Sequence, residues 1–313
     1  TCIDTPFRFG LPPKRGRREL TYPYPEWRRA WPCDATATGL SRLGANSDMS
    51  LLLTGQVVKD KVVARWPPLF LLERGFFMAS NDLNRVRALV IGVGGLGSPA
   101  ALALASAGIG TLGLIDPDRV EVSNLHRQPL YDERDVGQPK VAAAAARLGG
   151  DYPKLRIETW QDRFGPTHTA LARRFDVLID GTDSISAKFT VNDAAVAAGV
   201  PLVHAGVVGF RAQVLTVVPG ESACYRCIFE DAPPPDETPG CEVGGVLGPV
   251  PVLAGAIQAS EAVRLLGHVR PALAGRLLAI DLLSGTWRVV AVTRNPACTV
   301  CGSLSAERRS EAS

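Results

Sequence analysis

The stretch VRALVIGVGGLG, residues 86–97, decides the fold class of this chain. Its first seven residues form a short apolar run, which predicts a strand. An alanine- and leucine-rich run, Ala100–Ala107, follows and predicts a helix that ends at a glycine. A second apolar run, Thr111–Ile115, predicts another strand, with Asp116 directly after it. This order is a βαβ unit, so we predict an α/β fold with a Rossmann-like, mostly parallel sheet.

The glycine spacing in this unit is typical of nucleotide-binding turns. GVGGLG (92–97) has the pattern Gly-x-Gly-x-x-Gly, and Asp116 stands 19 residues after the last glycine. Glycines let backbone N–H groups approach a phosphate, and the start of the next helix favours negative charge. Asp116 is placed to bind ribose hydroxyls. The alternative is a tight turn without a ligand, and the motif does not say which nucleotide would bind.

Two cations after this unit favour a triphosphate over a dinucleotide. Arg127 lies in SNLHRQ (123–128), and Lys140 opens the predicted helix Val141–Leu148. Both are expected on the strand-tip side of the sheet, where ligands bind in open α/β folds. A triphosphate needs such charge because its leaving pyrophosphate must be neutralised. The alternatives are a surface salt bridge for Arg127 and a solvated helix start for Lys140.

A carboxylate follows a third β-rich run. Phe175–Ile179 predicts a strand, and Asp183 comes just past its end. Such a carboxylate could hold Mg²⁺ against bound phosphates. The alternative is that Asp183 or Ser184 caps the helix predicted around Ala187–Ala198.

Five cysteines lie in the patterned part of the chain. CYRC (224–227) and CTVC (298–301) are two CxxC pairs with 70 residues between them, and they supply four thiolates for a tetrahedral structural Zn²⁺. The ion would hold the C-terminal segment against the body of the domain; two disulfides or redox-active sites are the alternatives. The fifth, Cys241, lies in a proline- and charge-rich stretch. It is a candidate nucleophile or persulfide carrier, or else an incidental free thiol.

Composition excludes several classes of protein. The chain has 313 residues, of which 46% are hydrophobic and 21% charged, so it is not a disordered chain. A net charge of +3 over this length gives no field that would attract nucleic acid or a membrane surface. The uncharged run Ala88–Ile115 is long enough to cross a bilayer, but its glycines and the βαβ pattern favour a buried core. A second uncharged run, Val243–Ser260, is broken by Pro249 and Pro251 and is likewise predicted as core. Because no secretory signal is evident, we predict a cytoplasmic protein.

Residues 1–77 differ from the rest of the chain. They hold 12 basic and 7 acidic residues, net +5, whereas residues 78–313 hold 22 basic and 24 acidic residues, net −2. Regular patterning begins only at Met78. We therefore expect residues 1–77 to be a disordered or non-native extension and residues 78–313 to be the functional domain.

Several motifs, in order, resemble the ubiquitin-activating-enzyme-like adenylyltransferases, and within them the bacterial activators of sulfur carriers for molybdopterin and thiamine biosynthesis. The resemblance runs from about residue 84 to residue 302. The matching motifs are GVGGLG (92–97), IDPD (115–118), VEVSNLHRQ (120–128), DVGQPK (135–140), DVLIDGTDS (176–184), CYRC (224–227), GCEVGGVLGPV (240–250) and RNPACTVCG (294–302).

The resemblance implies a site for ATP, Mg²⁺ and Zn²⁺. Asp116 would bind the ribose; Arg127 and Lys140 would hold and polarise the phosphates; Asp183 would coordinate Mg²⁺. Cys241 matches a loop cysteine that in some relatives forms a covalent link to the carrier. The implied nucleotide site comprises Gly92, Gly94, Gly95, Gly97, Asp116, Ser123, Asn124, Leu125, His126, Arg127, Gln128, Lys140, Asp183 and Ser184. The implied zinc site comprises Cys224, Cys227, Cys298 and Cys301 and would clip an antiparallel C-terminal part to the parallel sheet.

The implied reaction is activation of a protein carboxylate. The partner would be a small ubiquitin-fold protein ending in Gly-Gly, whose C-terminal carboxylate attacks the α-phosphorus of ATP and releases pyrophosphate. A separate sulfur donor would then convert the acyl-adenylate to a thiocarboxylate, and the family resemblance implies a homodimer. The alternatives are a nicotinamide-dependent oxidoreductase and a carrier-binding homologue without turnover.

The chain departs from the family pattern at two places. The family has an arginine before the first strand that reaches the partner subunit's ATP; here Arg65 and Arg74 are the only stand-ins in that region. The family also has asparagine and arginine after the Mg²⁺ carboxylate, where this chain has Ser184 and Lys188. These differences predict a site that binds ATP with reduced turnover.

Overall fold

The computed structural model describes residues 83–229 and 245–303, together with the backbone of two short strands before them. The chain divides into two units, residues 1–71 and 72–313. In the first, strands β1 (Gln56–Val58) and β2 (Lys61–Val63) pair antiparallel. The expectation for residues 1–77 as a whole lies outside the described residues.

The second unit contains an eight-stranded mixed sheet. Its strands, in chain order, are β3 (Arg87–Ile91), β4 (Thr111–Ile115), β5 (Arg156–Trp160), β6 (Val177–Asp180), β7 (Leu202–Val208), β8 (Arg211–Val217), β9 (Arg276–Asp281) and β10 (Thr286–Ala291). They lie in the order β10-β9-β8-β7-β6-β3-β4-β5. Neighbours from β5 to β7 pair parallel, and β7 to β10 pair antiparallel. The predicted α/β fold with a parallel sheet and an antiparallel C-terminal part is therefore confirmed.

Helices cover both faces of the parallel part. They are α1 (Gly97–Ser106), α2 (Lys140–Asp151), the single turn α3 (Thr169–Ala172), α4 (Ile185–Ala198) and α5 (Pro249–Leu266). Along β3, Val90 faces a core shared with α1, α2 and α5, whereas Leu89 and Ile91 face a core shared with α4. Burial on both faces explains why the central strands are continuous apolar runs without alternation.

The turn between β3 and α1 depends on backbone contacts that only glycine permits. Gly92 has φ +81°, and a Cβ on Gly97 would lie 1.8 Å from the carbonyl oxygen of Gly92. The chain can therefore reverse tightly and start α1 directly under the strand end. This packing also starts the helix at Gly97, three residues before the predicted start at Ala100.

The last long helix extends beyond the predicted uncharged run, Val243–Ser260. Helix α5 continues through Glu261 to Leu266. Glu261 is buried but accepts hydrogen bonds from the Thr216 hydroxyl at 2.8 Å and from the N–H of Leu273 at 2.7 Å. The run was predicted as core, and buried Val250 agrees with that prediction. Among the described residues, no helix is both long and apolar enough to cross a membrane.

Candidate active site

A cleft of about 760 Å³ lies at the carboxyl ends of β3, β4 and β6. These strand ends supply the glycine turn, Asp116 and Asp183, so the parallel register collects them on one edge of the sheet. The predicted site residues that line the cleft are Gly92, Gly94, Gly95, Asp116, Asn124, His126, Arg127, Gln128, Lys140, Asp183 and Ser184.

Three predicted residues have supporting positions outside the cleft lining. Gly97 packs against the Gly92 carbonyl, and Leu125 packs against the core. The Ser123 carbonyl accepts a hydrogen bond from Arg127 at 3.0 Å, and its hydroxyl accepts one from Asn124 at 3.1 Å. Ser123 therefore orients two residues that do line the cleft.

Two side chains fix the glycine turn through the backbone of Val93. Val93 N–H donates to Asp116 Oδ2 at 2.6 Å, and the Tyr131 hydroxyl donates to the Val93 carbonyl at 2.8 Å. No side chain caps the N-terminus of α1. The Ser98 N–H is bonded to the Gly94 carbonyl at 2.9 Å, so the backbone that faces the cleft is that of Gly94, Gly95 and Leu96, directly before the helix, where the helix dipole favours negative charge.

Asp116 is buried at the end of β4. Its second oxygen accepts the N–H of Asp118 at 2.8 Å, and Lys140 Nζ lies 4.0 Å away. Burial raises the pKa of Asp116, against the opposing effects of Lys140 and the two N–H groups. Because each carboxylate oxygen has two lone pairs, both oxygens retain capacity to accept a further donor such as a ribose hydroxyl.

The two cations have different surroundings. Lys140 is only 6% exposed and donates to Asp118 Oδ2 at 2.9 Å, so the alternative of a solvated helix start is wrong. The Arg127 guanidinium donates to the Ser123 carbonyl and lies 3.3 Å from His126 Nε2. Arg127 forms no salt bridge within the part of the chain that the structure describes. Its charge is thus available to an anionic ligand, whereas that of Lys140 is shared with two carboxylates.

The cap of α4 separates the roles of two neighbouring residues. The Ser184 hydroxyl accepts a hydrogen bond from Ala187 N–H at 3.2 Å, so Ser184 is the N-cap. Asp183 is not needed for that role, and it lines the cleft. Lys188, one turn further on, points inward: it is 5% exposed and lies 3.3 Å from Asp180. The sequence left the choice of cap open because both residues stand just before the helix.

The four cysteines of the CxxC pairs lie together in the core that contains Leu89 and Ile91. Their Sγ atoms all lie within 4.8 Å of one another, with 3.7 Å between Cys224 and Cys298 and 3.4 Å between Cys227 and Cys301. All four are free thiols, so the structure holds no disulfide between them. Zn–S bonds of about 2.3 Å in a tetrahedron separate sulfurs by about 3.8 Å, and the cluster fits that spacing.

The thiols of this cluster differ in acidity. Burial raises the pKa of Cys224. Burial also acts against the Cys298 thiolate, but N–H groups of Cys301 and Val300 outweigh it and lower the pKa of Cys298 to about 7. A positive ion would satisfy the thiolates that burial disfavours.

Several features of the site were missed or cannot be placed. Phe164, 8% exposed, and Arg163 line the cleft beyond β5, and no sequence motif marked them. They follow β5, the sheet neighbour of β4, at its carboxyl end, and that strand was itself not predicted from the sequence. Cys241, Arg65 and Arg74 lie outside the described residues.

Fold and site together define an α/β protein with a glycine turn, carboxylates and cations in one cleft and a cluster of four cysteines. Two curated proteins are similar to it. Sulfur carrier protein adenylyltransferase of Thermus thermophilus is 40% identical over 232 residues, covering 72% of this chain and 86% of that protein. Sulfur carrier protein ThiS adenylyltransferase of Escherichia coli is 37% identical over 252 residues, covering 80% of this chain and 99% of that protein.

The family itself follows from a direct match. Residues 72–300 match the ThiF family, and the chain belongs to that family. The crystal structure of E. coli MccB with ATP superposes with a TM-score of 0.64 at 24% identity, over 71% of this chain and 69% of that chain, which shows the shared fold. The resemblance identified from the sequence motifs is confirmed.

Proposed function

We propose that this chain uses ATP to adenylylate the C-terminal carboxylate of a small ubiquitin-fold sulfur-carrier protein that ends in Gly-Gly. The observation that carries this proposal is the meeting of Arg127, Lys140 and Asp183 with the glycine turn in one cleft. A nicotinamide coenzyme needs the turn but not this arrangement of charges. Relatives named as adenylyltransferases of sulfur carriers support the same reaction.

ATP binds with its phosphates against the turn. The backbone of Gly94 and Gly95, which lines the cleft before α1, receives them, and Asp116 binds the ribose hydroxyls. Arg127 and Lys140 neutralise the phosphates, while Asn124 and Gln128 add neutral hydrogen-bond donors beside them. Gln128 is buried and lines the cleft.

The reaction needs positioning and charge neutralisation. The carrier carboxylate attacks the α-phosphorus, the bond from the α-phosphorus to the bridging oxygen breaks, and pyrophosphate leaves. The attacking group is already an anion, so no general base is required. Arg127 and Lys140 supply the charge that the leaving pyrophosphate needs.

Two metals complete the proposal. Asp183 holds Mg²⁺ at the phosphates, where the ion adds charge neutralisation; a carboxylate with no structural task in the helix cap fits a hard cation. The four CxxC cysteines hold one structural Zn²⁺, which ties residues 298–301 to the turn at residues 224–227.

The partners and the setting follow from the same reaction. A separate sulfur donor converts the adenylate to a thiocarboxylate for molybdopterin or thiamine biosynthesis, in the cytoplasm. Residues 78–313 form the adenylyltransferase domain, which works as a homodimer; Cys241 is a candidate for a covalent link to the carrier.

Exchange of radiolabelled pyrophosphate into ATP tests this function. The full chain is assayed with Mg²⁺ and a small ubiquitin-fold carrier that ends in Gly-Gly, and again with that carrier lacking its last two residues. We expect exchange only with the intact carrier. A chain that binds carrier and ATP without exchange is a non-catalytic homologue, and one that binds a reduced nicotinamide coenzyme in preference to ATP is an oxidoreductase; either result overturns the proposal.

A further inference from the structure

We propose that His204 and Lys188 are positioning residues that fix the turn carrying Asp183 through the buried carboxylate of Asp180, and that Tyr225 in the first CxxC pair supports His204. The significance for catalysis rests on the proposed function, in which Asp183 holds Mg²⁺. The positioning itself is a property of the folded chain alone.

Asp180 ends β6 and is completely buried. One oxygen accepts the N–H of Thr182 at 2.9 Å and its hydroxyl at 2.6 Å. The other lies 3.3 Å from Lys188 Nζ and 2.6 Å from His204 Nδ1. A buried carboxylate is costly unless it is paired and hydrogen-bonded, and here both oxygens have partners. Burial acts to raise the pKa of Asp180, but Lys188 and His204 outweigh it and hold the pKa below its usual range.

Lys188 uses all its donors in this network. Besides facing Asp180, its Nζ donates to the Thr182 carbonyl at 2.6 Å and to the Ala205 carbonyl at 2.6 Å. An ammonium group has three donors, so the three acceptors match it. Thr182 is thereby held at its N–H, its hydroxyl and its carbonyl, and Asp183 is the next residue.

The other side of the turn is also fixed. Gly181 N–H donates to the Ile91 carbonyl at 2.8 Å, and a Cβ on Gly92 would lie 2.9 Å from the Gly181 carbonyl carbon. The turn that carries Asp183 therefore rests on the glycine turn on one side and on the Asp180 network on the other.

His204 links this network to the cysteine cluster. It stands opposite Asp180 in the register of β7 on β6. Its ring centroid lies 4.3 Å from the ring centroid of Tyr225, the residue that follows Cys224 in the first CxxC pair. Tyr225 is itself anchored, since its N–H donates to Asn192 at 2.8 Å. Burial lowers the pKa of His204, although Asp180 opposes that effect. The ring meets the carboxylate as a close polar contact, 2.6 Å from Nδ1 to Oδ2, without the angles of a regular hydrogen bond, and Lys188 supplies the positive charge that faces Asp180.

Three substitutions separate this role from simple packing. His204→Asn keeps a donor near the position of Nδ1, His204→Gln moves the donor outward by one carbon, and His204→Leu removes it while keeping bulk. The matched control is Glu261→Gln, which alters a buried carboxylate that contacts Thr216 and residues 272–273, away from the turn.

Hydrogen exchange of individual amides in the nucleotide-free full chain reads the effect. We expect Thr182 N–H to exchange about tenfold faster in the Gln and Leu variants, since the close polar contact of His204 Nδ1 with the charged carboxylate of Asp180 is lost from the network. Exchange in the Asn variant should stay within about threefold of wild type. Glu261→Gln should lower the denaturant midpoint of unfolding without changing the exchange rate of the Thr182 N–H. If His204→Leu does not fold, the Gln variant decides.

A second readout is the Mg²⁺ concentration that half-saturates ATP binding, which should rise about tenfold in the Gln variant if the turn is loosened by that factor. Unchanged Thr182 exchange in the Gln variant, or equal effects of Asn and Gln, would overturn the positioning role. The proposed function fails separately if the wild-type chain binds neither Mg²⁺ nor ATP. Faster Thr182 exchange in the Gln variant would then leave the positioning role standing.

Discussion

Arg127→Ala separates ligand binding from fold stability. The Arg127 side chain forms no salt bridge among the described residues and bonds only to the Ser123 carbonyl and the His126 ring. Both partners are near the surface, where water can replace the lost donor. Truncation therefore leaves no buried group unpaired, and the free energy of unfolding should change by less than about 0.5 kcal/mol.

The loss of nucleotide activation should be far larger. One hydrogen bond to a charged group contributes about 1.5–3 kcal/mol, which corresponds to about 10- to 150-fold. A guanidinium facing a leaving pyrophosphate acts most strongly in the transition state, so pyrophosphate exchange should fall at least as far as ATP affinity. Lys140→Met should differ, because it deprives buried Asp116 of a nearby cation and must lower stability as well.

The assay is pyrophosphate exchange in parallel with urea unfolding. Arg134→Ala is the matched control: this arginine is exposed, pairs with Asp132 on a neighbouring turn and is absent from the cleft lining. It should keep wild-type exchange. An Arg127→Ala protein with wild-type exchange, or one that loses exchange only because it unfolds, would refute the assigned role.

Three further predictions follow from the packing, the cysteines and the buried histidine. Gly97→Ala places a Cβ 1.8 Å from the Gly92 carbonyl and should cost more than about 4 kcal/mol in urea unfolding, whereas Gly149→Ala, with no atom within 4 Å, should stabilise helix α2 by roughly 0.5–1 kcal/mol; equal effects would contradict the turn geometry. Metal analysis should find about one zinc per chain, lost with folding stability in Cys298→Ser; a stable, zinc-free wild type would contradict the cluster assignment. In the folded chain His204 faces Asp180, Lys188 and Tyr225, and its pKa lies below the unfolded value of 6.5. The stability that the neutral ring contributes is therefore fully present above pH 6.5 and is lost as pH falls toward the folded pKa. In that range the free energy of unfolding of wild type should fall by up to about 1.4 kcal/mol per pH unit relative to His204→Asn, and parallel pH profiles of the two proteins would disprove this.

The fold was readable from sequence wherever local signals agreed with the tertiary structure. The strand Thr111–Ile115 has the predicted bounds, because glycine precedes it, aspartate follows it and both faces are buried. The predicted strand Phe175–Ile179 begins instead at Val177, since Phe175 packs into the core before the sheet register starts. The run Val243–Ser260 was predicted as core without a helix, and helix α5 continues past its end because the donors that satisfy the buried Glu261 come from distant positions.

The site was readable only in part. The glycine turn, Asp116 and the cations could be proposed because their chemistry is local to a motif. The network around Asp180 could not, because Lys188 and His204 belong to a helix and a strand whose contact depends on the order of strands in the sheet. A buried lysine also reads in sequence like any exposed helical lysine.

Detection of the acyl-adenylate itself tests the central claim most directly. The chain is mixed with Mg²⁺, ATP and the Gly-Gly carrier without a sulfur donor, and the intact mass of the carrier is measured. We predict a carrier that gains one AMP at its C-terminus, with pyrophosphate released, and no gain on a carrier lacking its final glycines. An unmodified carrier under conditions where the chain binds both carrier and ATP would contradict the account.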